Sequence, residues 1–154
     1  MRVKEMLVIT AVAVAVLVSV PAARSFASSP QDLMVIDTDL LHSMVVVNSK
    51  RMEAGQAMKF MIIDARPLED YQEAHVLGAI SIPEKDFEKS VKLLPVDKAA
   101  LIVVYCNDRK CIQSRKWAAK ARAEGYSNVV VYSDGFPYWK DSHMPVAALS
   151  TIPK

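Results

Sequence analysis

The sequence has little cysteine, little histidine and almost no excess charge, and each shortage narrows the possible functions. Two cysteines among 154 residues are too few for a disulfide framework. The three histidines lie far apart in the sequence and from the cysteines, so four tetrahedral zinc ligands cannot be named and we expect no metal site. We expect no other cofactor either. No internal repeat or low-complexity tract occurs. The composition is therefore typical of an ordinary globular chain.

Residues 1–27 are predicted to be a secretory signal peptide. Arg2 and Lys4 form a positive start, residues 6–20 are apolar, and small residues at Ser25 and Ala27 suit cleavage after Ala27. Since the apolar run is short for a membrane span, we expect an exported, periplasmic protein, with an uncleaved membrane anchor as the alternative. Removing this segment lowers the formal net charge from +2 to zero, which gives no case for a nucleic-acid partner.

Apolar runs along the rest of the chain predict one α/β domain. Five runs favour short strands, and they lie at residues 35–37, 60–64, 79–82, 101–105 and 129–132. Helical patterns separate them, which indicates an α/β sandwich with a mainly parallel sheet. We expect a linker at residues 28–34, the domain at residues 35–148, a tail at residues 149–154, and a monomer.

Two segments, residues 38–59 and residues 87–95, have helix signals of their own. Thr38 suits the N-cap of a helix, but residues 45–47 are all valine, so residues 45–59 remain ambiguous between helix and strand. Residues 87–94 carry apolar side chains at helical spacing, and Pro95 would end that helix.

The segment after the fourth predicted strand carries the chemistry. That strand ends at Cys106, a charged loop follows, and an amphipathic helix begins near Ser114 and ends at Gly125. Ligands bind at the carboxyl ends of parallel strands, and free N–H groups with nearby cations favour a thiolate. Cys106 is therefore the predicted nucleophile. The residues that we assign to the active-site loop are Cys106, Asn107, Asp108, Arg109, Lys110, Cys111 and Ser114.

Six short segments between residues 35 and 146 match the pattern of one known family in its order: IDAR at 63–66, AHVLGAI at 74–80, VYC at 104–106, GYSNV at 125–129, DGFPYW at 134–139 and MPV at 144–146. On these segments the chain resembles the single-domain rhodaneses, a family of sulfurtransferases. The resemblance implies a rhodanese-like three-layer α/β sandwich with a central five-stranded sheet. It also implies that Cys106 carries sulfur as a persulfide, taken from a small sulfane donor such as thiosulfate and passed to a thiol or to a cyanide-like acceptor.

The resemblance extends to Asp64, Arg66 and His75, which could support the site. In this family such residues mainly organise the fold, so we expect Arg66 to pair with Glu69, Asp70 or Glu73, and His75 to be a satisfied turn residue. The sequence departs from the family pattern in three ways. The loop is two residues longer, Asp108 replaces a common glycine, which would raise the pKa of Cys106, and Ala74 stands where glycine usually precedes the histidine. The second cysteine, Cys111, resembles a variant group of the family that carries a cysteine at this position.

Three other functions are alternatives to sulfur transfer. A phosphatase loop would need arginine six residues after Cys106, where Ile112 stands. A thiol–disulfide protein could cycle Cys106 and Cys111, although their spacing exceeds that of a Cys-x-x-Cys motif. A non-catalytic binding module would retain the fold alone. For Cys111 we predict a protective or regulatory role, provided that the two Cα atoms lie within about 7 Å.

Overall fold

The computed structural model describes residues 33–149, so the predicted signal peptide and most of the predicted linker and tail lie outside the described part. Within that part the strands are β1 (Met34–Ile36), β2 (Met61–Asp64), β3 (His75–Val76), β4 (Ile80–Ser81), β5 (Ile102–Tyr105), β6 (Val129–Tyr132) and β7 (Val146–Ala147). The α-helices are α1 (Thr38–Glu53), α2 (Leu68–Glu73), α3 (Phe87–Ser90), α4 (Ile112–Ala123) and α5 (Gly135–Asp141).

Five of the strands form one parallel sheet in the order β1-β6-β5-β2-β4. The prediction of an α/β fold with a five-stranded, mainly parallel sheet is therefore confirmed. Asp64 is in register with Tyr105, and Tyr105 is in register with Tyr132. The last residues of β2, β5 and β6 thus lie side by side, at the edge where parallel sheets bind ligands.

Helices cover both faces of the sheet and make three layers. On one face Trp117 of α4 and Phe87 of α3 pack edge to face, with ring centroids 5.2 Å apart. On the other face Leu41 of α1 and Trp139 of α5 are completely buried. Burying each such side chain stabilises the fold by about 1.5–3 kcal/mol, and together they fix where α4 and α5 begin relative to the sheet.

The ambiguous segment at residues 45–59 is helical up to Glu53, because tertiary packing overrides the strand preference of valine. Val45 is buried against the sheet. Asn48 holds the chain after the helix, since its Oδ1 accepts hydrogen bonds from the backbone N–H groups of Lys59 and Phe60 at 2.9 and 3.1 Å. The observed helix cap lies one residue before the predicted one: the side chain of Asp37, not that of Thr38, accepts a hydrogen bond from the N–H of Leu40.

Two further differences from the prediction involve short elements. The single helix expected over residues 87–94 is broken into α3 and a following 3₁₀ turn, Val91–Leu93. The strands β3 and β7 were not predicted, and they form a separate antiparallel pair. Each has only two residues, which is too short to show an alternating pattern.

Candidate active site

Cys106 lies directly after β5, at the ligand-binding edge of the sheet and just before α4. Its side chain is buried. The backbone fixes its position, because the Cys106 carbonyl accepts a 2.9 Å hydrogen bond from the N–H of Phe136 in the first turn of α5. The predicted nucleophile therefore stands between the N-terminal ends of two helices, α4 and α5. The helix expected from Ser114 begins two residues earlier, at Ile112, and Ser114 is buried in its first turn.

Cys106 and Cys111 are joined by a disulfide bond. Their Cα atoms lie 6.2 Å apart. This distance is below the limit of about 7 Å for a disulfide bridge and within the usual range. Gln113 accompanies the bond, with its Oε1 2.6 Å from Cys111 Sγ and 3.7 Å from Cys106 Sγ. In this oxidised form neither sulfur is a nucleophile, so any nucleophilic chemistry at Cys106 requires reduction of the bond first. Sequence reasoning did not identify Gln113.

Asp108 organises the loop between the two cysteines. Its Oδ1 accepts hydrogen bonds from the N–H groups of Lys110, at 2.7 Å, and Cys111, at 3.0 Å. An aspartate side chain that binds the backbone two and three residues later builds a turn without glycine. The residue that departs from the family pattern thus shapes the loop, and its carboxylate occupies two N–H groups that would otherwise be available to an anion.

The loop cations differ in their surroundings. Arg109 forks onto Asp134 Oδ1 through Nε at 3.0 Å and Nη2 at 2.6 Å, and this hydrogen bond raises the pKa of the guanidinium. Asp134 follows β6 and also accepts a 3.1 Å hydrogen bond from Thr38. Within residues 33–149 neither Lys110 nor Arg115 forms an ion pair. These two cations therefore remain available to an anionic substrate.

Gly135 allows α5 to approach the loop closely. Its φ of +83° lies in the region that favours glycine. A Cβ atom at this position would overlap the carbonyl group of Asn107 and would lie 2.7 Å from the backbone nitrogen of Asp108. The loop after Cys106 therefore rests directly on the backbone of α5. An aspartate followed by glycine at the end of a strand is a turn signal, and it could have identified Asp134 as a site residue.

Asp64 and Arg66 form a buried ion pair behind the loop. Arg66 Nη2 lies 2.7 Å from Asp64 Oδ2, and the same nitrogen donates to the carbonyl of Ala74 at 2.7 Å. The expected pairing of Arg66 with Glu69, Asp70 or Glu73 is therefore wrong, because the guanidinium turns back toward its own strand. There Asp64 Oδ1 also accepts the backbone N–H of Arg66 at 3.0 Å.

Tyr105 and His75 extend this buried network. The Tyr105 hydroxyl donates to Asp64 Oδ2 at 2.6 Å and accepts the N–H of Val76 at 3.1 Å. Burial, with the nearby Asp64 charge, raises the pKa of Tyr105 well above its usual value. His75 is buried in β3, where its Nδ1 lies 2.7 Å from the Tyr71 carbonyl and its ring stacks on Tyr71. Among the described hydrogen bonds of Asp64, Arg66 and His75, none reaches a sulfur atom.

Three cavities border the loop in the described part of the chain. One of about 470 Å³ is lined by the loop residues Asp108, Arg109 and Lys110, together with Asp134 and Tyr138. A small one of about 170 Å³ has Lys85 and Gln113 in its wall, together with Ala65 at the end of β2. A larger one of about 380 Å³ lies beside Asn107 on the other side, against Arg66. Within residues 33–149 no group of His, Cys, Asp and Glu side chains is placed to hold a metal ion, and no helix is long and apolar enough to cross a membrane.

Comparisons with known proteins agree with this architecture. Residues 47–142 match the family model of the Rhodanese-like domain. The crystal structure of the BH2092 protein from Bacillus halodurans is 25% identical and superposes with a TM-score of 0.58, over 75% of this chain and 77% of that one. The solution structure of a Rhodanese-like domain from the Anabaena Alr3790 protein has a TM-score of 0.57 at 23% identity, covering 77% and 82%, so it bears on the fold alone.

Two curated relatives match parts of the chain. The HTH-type transcriptional regulator Rv0324 of Mycobacterium tuberculosis is 31% identical over 125 residues, which are 81% of this chain and 49% of the regulator. The thiosulfate sulfurtransferase PspE of Escherichia coli is 44% identical over 45 residues, which are 29% of this chain and 43% of PspE. This chain therefore spans about half the length, or less, of these two relatives.

Proposed function

The chain belongs to the family of rhodanese-like domains, and from this premise we propose that its reduced form is a sulfurtransferase that works through a persulfide on Cys106. The observation that carries the proposal is the position of Cys106. It is buried at the carboxyl end of the central strand β5, in front of the first turn of α4. Helix N-termini stabilise anions, so a thiolate and a persulfide anion are both favoured there.

The proposed reaction has two displacement steps. The Cys106 thiolate attacks the sulfane sulfur of thiosulfate, the bond between the two donor sulfur atoms breaks, and sulfite leaves with the electron pair. A thiol or cyanide-like acceptor then removes the terminal sulfur and restores the Cys106 thiolate. Lys110 and Arg115 are suited to hold the departing sulfite by charge-assisted hydrogen bonds, since Arg109 is held by Asp134.

Intact-mass measurement of the reduced protein after incubation with thiosulfate tests this function. We expect Cys111→Ser, in which Cys106 is the only thiol, to gain one sulfur atom, and the matched variant Cys106→Ser to gain none. In the wild type we expect the same gain at early times. Sulfur uptake by Cys106→Ser would reject Cys106 as the carrier. Uptake by none of the three proteins would favour a non-catalytic module that keeps only the fold.

We also propose that the protein is a monomer and is exported to the periplasm. The charged and apolar segment in residues 1–27 supports the export. N-terminal sequencing of protein from fractionated cells tests this, with Ser28 expected as the first residue. A full-length chain in the cytoplasm would refute export, and a full-length chain in the membrane fraction would favour an anchor.

A second candidate is a thiol–disulfide protein, and the bond between Cys106 and Cys111 is the observation that favours it. The two functions differ in what the protein does to a partner. A disulfide donor would oxidise a reduced dithiol peptide in stoichiometric amount and would take up no sulfur from thiosulfate. A sulfurtransferase would show the reverse behaviour once reduced.

A further inference from the structure

We propose that Cys111 is a built-in sulfur acceptor, which gives this chain a sulfide-releasing activity besides transfer to external acceptors. The inference rests on the proposed function, because it needs a persulfide on Cys106. It goes beyond a protective role, since Cys111 would take part in each turnover that ends in sulfide. The substrate class is sulfane sulfur compounds, and the reductant class is small thiols or dithiols.

The observed disulfide is the product that this activity requires. The backbone already brings the two Cα atoms to 6.2 Å, so no rearrangement of the fold is needed for the sulfur atoms to meet. Asp108 maintains this geometry by binding the N–H of Cys111 at 3.0 Å, which folds the loop back toward Cys106. The aspartate in place of glycine therefore has a function: it presents the second thiol to the first.

The reaction balances without a further oxidant. The Cys111 thiolate attacks Sγ of the Cys106 persulfide and forms the disulfide bond. The bond between Cys106 Sγ and the terminal sulfur breaks, and the terminal sulfur leaves with the electron pair as hydrosulfide, using the proton released by Cys111. The sulfane sulfur is thereby reduced to sulfide, and the two cysteines are oxidised to a disulfide. Two external thiol groups must then reduce the disulfide.

The difference in exposure between the two cysteines determines which sulfur an external thiol attacks when it reduces the disulfide. Cys106 is 3% exposed, whereas Cys111 is partly exposed at the start of α4. An external thiolate therefore reaches Cys111 first, forms a mixed disulfide there and releases Cys106 as a thiolate at the helix N-terminus, where it is the favoured leaving group. Each cycle returns Cys106 to the form that accepts sulfur.

A single-turnover experiment tests the inference. The protein is reduced, freed of the reductant, and mixed with thiosulfate in the absence of any external thiol. We expect about one hydrosulfide per protein molecule, together with a final mass that lacks two hydrogens and carries no added sulfur. The rate per molecule should not depend on protein concentration, because the acceptor belongs to the same chain. Cys111→Ala should gain one sulfur atom, keep it and release no sulfide.

A matched control keeps two thiols but moves the second one. In the double variant Cys111→Ala with Ile112→Cys, the thiol moves to an exposed position about 100° around the helix. Sulfide release should fall at least tenfold while sulfur uptake persists. Release at the wild-type rate by this variant, or stable retention of the sulfur by the wild-type protein, would overturn the inference and leave the proposed function standing. If neither the wild type nor Cys111→Ala takes up sulfur, the proposed function fails and the inference fails with it.

Discussion

Replacing Gly135 by alanine tests how closely the active-site loop depends on α5. The added Cβ would overlap the carbonyl of Asn107, next to Cys106. The φ of +83° alone costs an alanine about 1–2 kcal/mol. Relieving the overlap with backbone atoms adds about 1–3 kcal/mol, as for an overpacked core position. We therefore expect a loss of about 2–5 kcal/mol in the free energy of unfolding.

Two other glycines provide matched controls. Gly55 and Gly125 also have positive φ, +68° and +92°, but a Cβ at either position meets no atom within 4 Å. Their alanine variants should lose only the conformational part, about 1–2 kcal/mol. The loss of unfolding free energy in Gly135→Ala beyond that in the two controls then measures the close contact between Gly135 and the loop.

Urea unfolding of the three alanine variants gives the free energies, and the alkylation rate of the reduced protein reports on the loop. We expect Gly135→Ala to change the alkylation rate of Cys106 at least several-fold, because the shifted Asn107 peptide moves its neighbour. The two control variants should react like the wild type. If Gly135→Ala matches the controls in both stability and alkylation rate, α5 does not position the loop and the reasoning is wrong.

Two further predictions concern Asp64 and Tyr132. Asp64→Asn leaves the Arg66 guanidinium buried without its countercharge, and we expect it to lower the unfolding free energy by about 3–5 kcal/mol in a urea titration. Arg109→Ala breaks an exposed ion pair and should lower the unfolding free energy far less. Burial raises the pKa of Tyr132 from 10.0 to about 12, so the folded state holds this proton more tightly than the unfolded state. The resulting stability is complete below pH 10 and is lost as pH rises toward 12, whereas Tyr132→Phe should lack this loss.

The sequence predicts the sheet better than the elements around it. All five strands of the parallel sheet lie where apolar runs place them. The signal is strongest for the central strands β2, β5 and β6, because a strand buried on both faces needs a continuous apolar segment. The helix α1 was ambiguous because three consecutive valines favour a strand locally. Its helical form depends on contacts with distant residues, such as those of Asn48 with Phe60, and no local pattern encodes them.

In the candidate site, too, only the features that a local sequence pattern encodes could be predicted. Cys106 could be identified because a strand end, a charged loop and a helix start are local features. The partner of Arg66 could not, since the choice among Asp64, Asp70 and Glu73 depends on which way a buried guanidinium turns. Gln113 contributes through contacts that form only after the loop has folded, and for that reason sequence reasoning assigned it no role. For Asp134 the turn signal of Asp134 followed by Gly135 was present in the sequence, although its contact with Arg109 was not.

The pairing of β3 with β7 has a consequence for the order in which the domain can be completed. Val76 pairs with Val146, and the carbonyl of Pro145 accepts hydrogen bonds from Leu77 and from the indole of Trp139. The segment that carries His75 therefore stays without its strand partner until residue 147 has been synthesised. If the protein is exported as proposed, a chain still threaded through the translocation channel would lack this last pairing, which would help to keep it unfolded during passage.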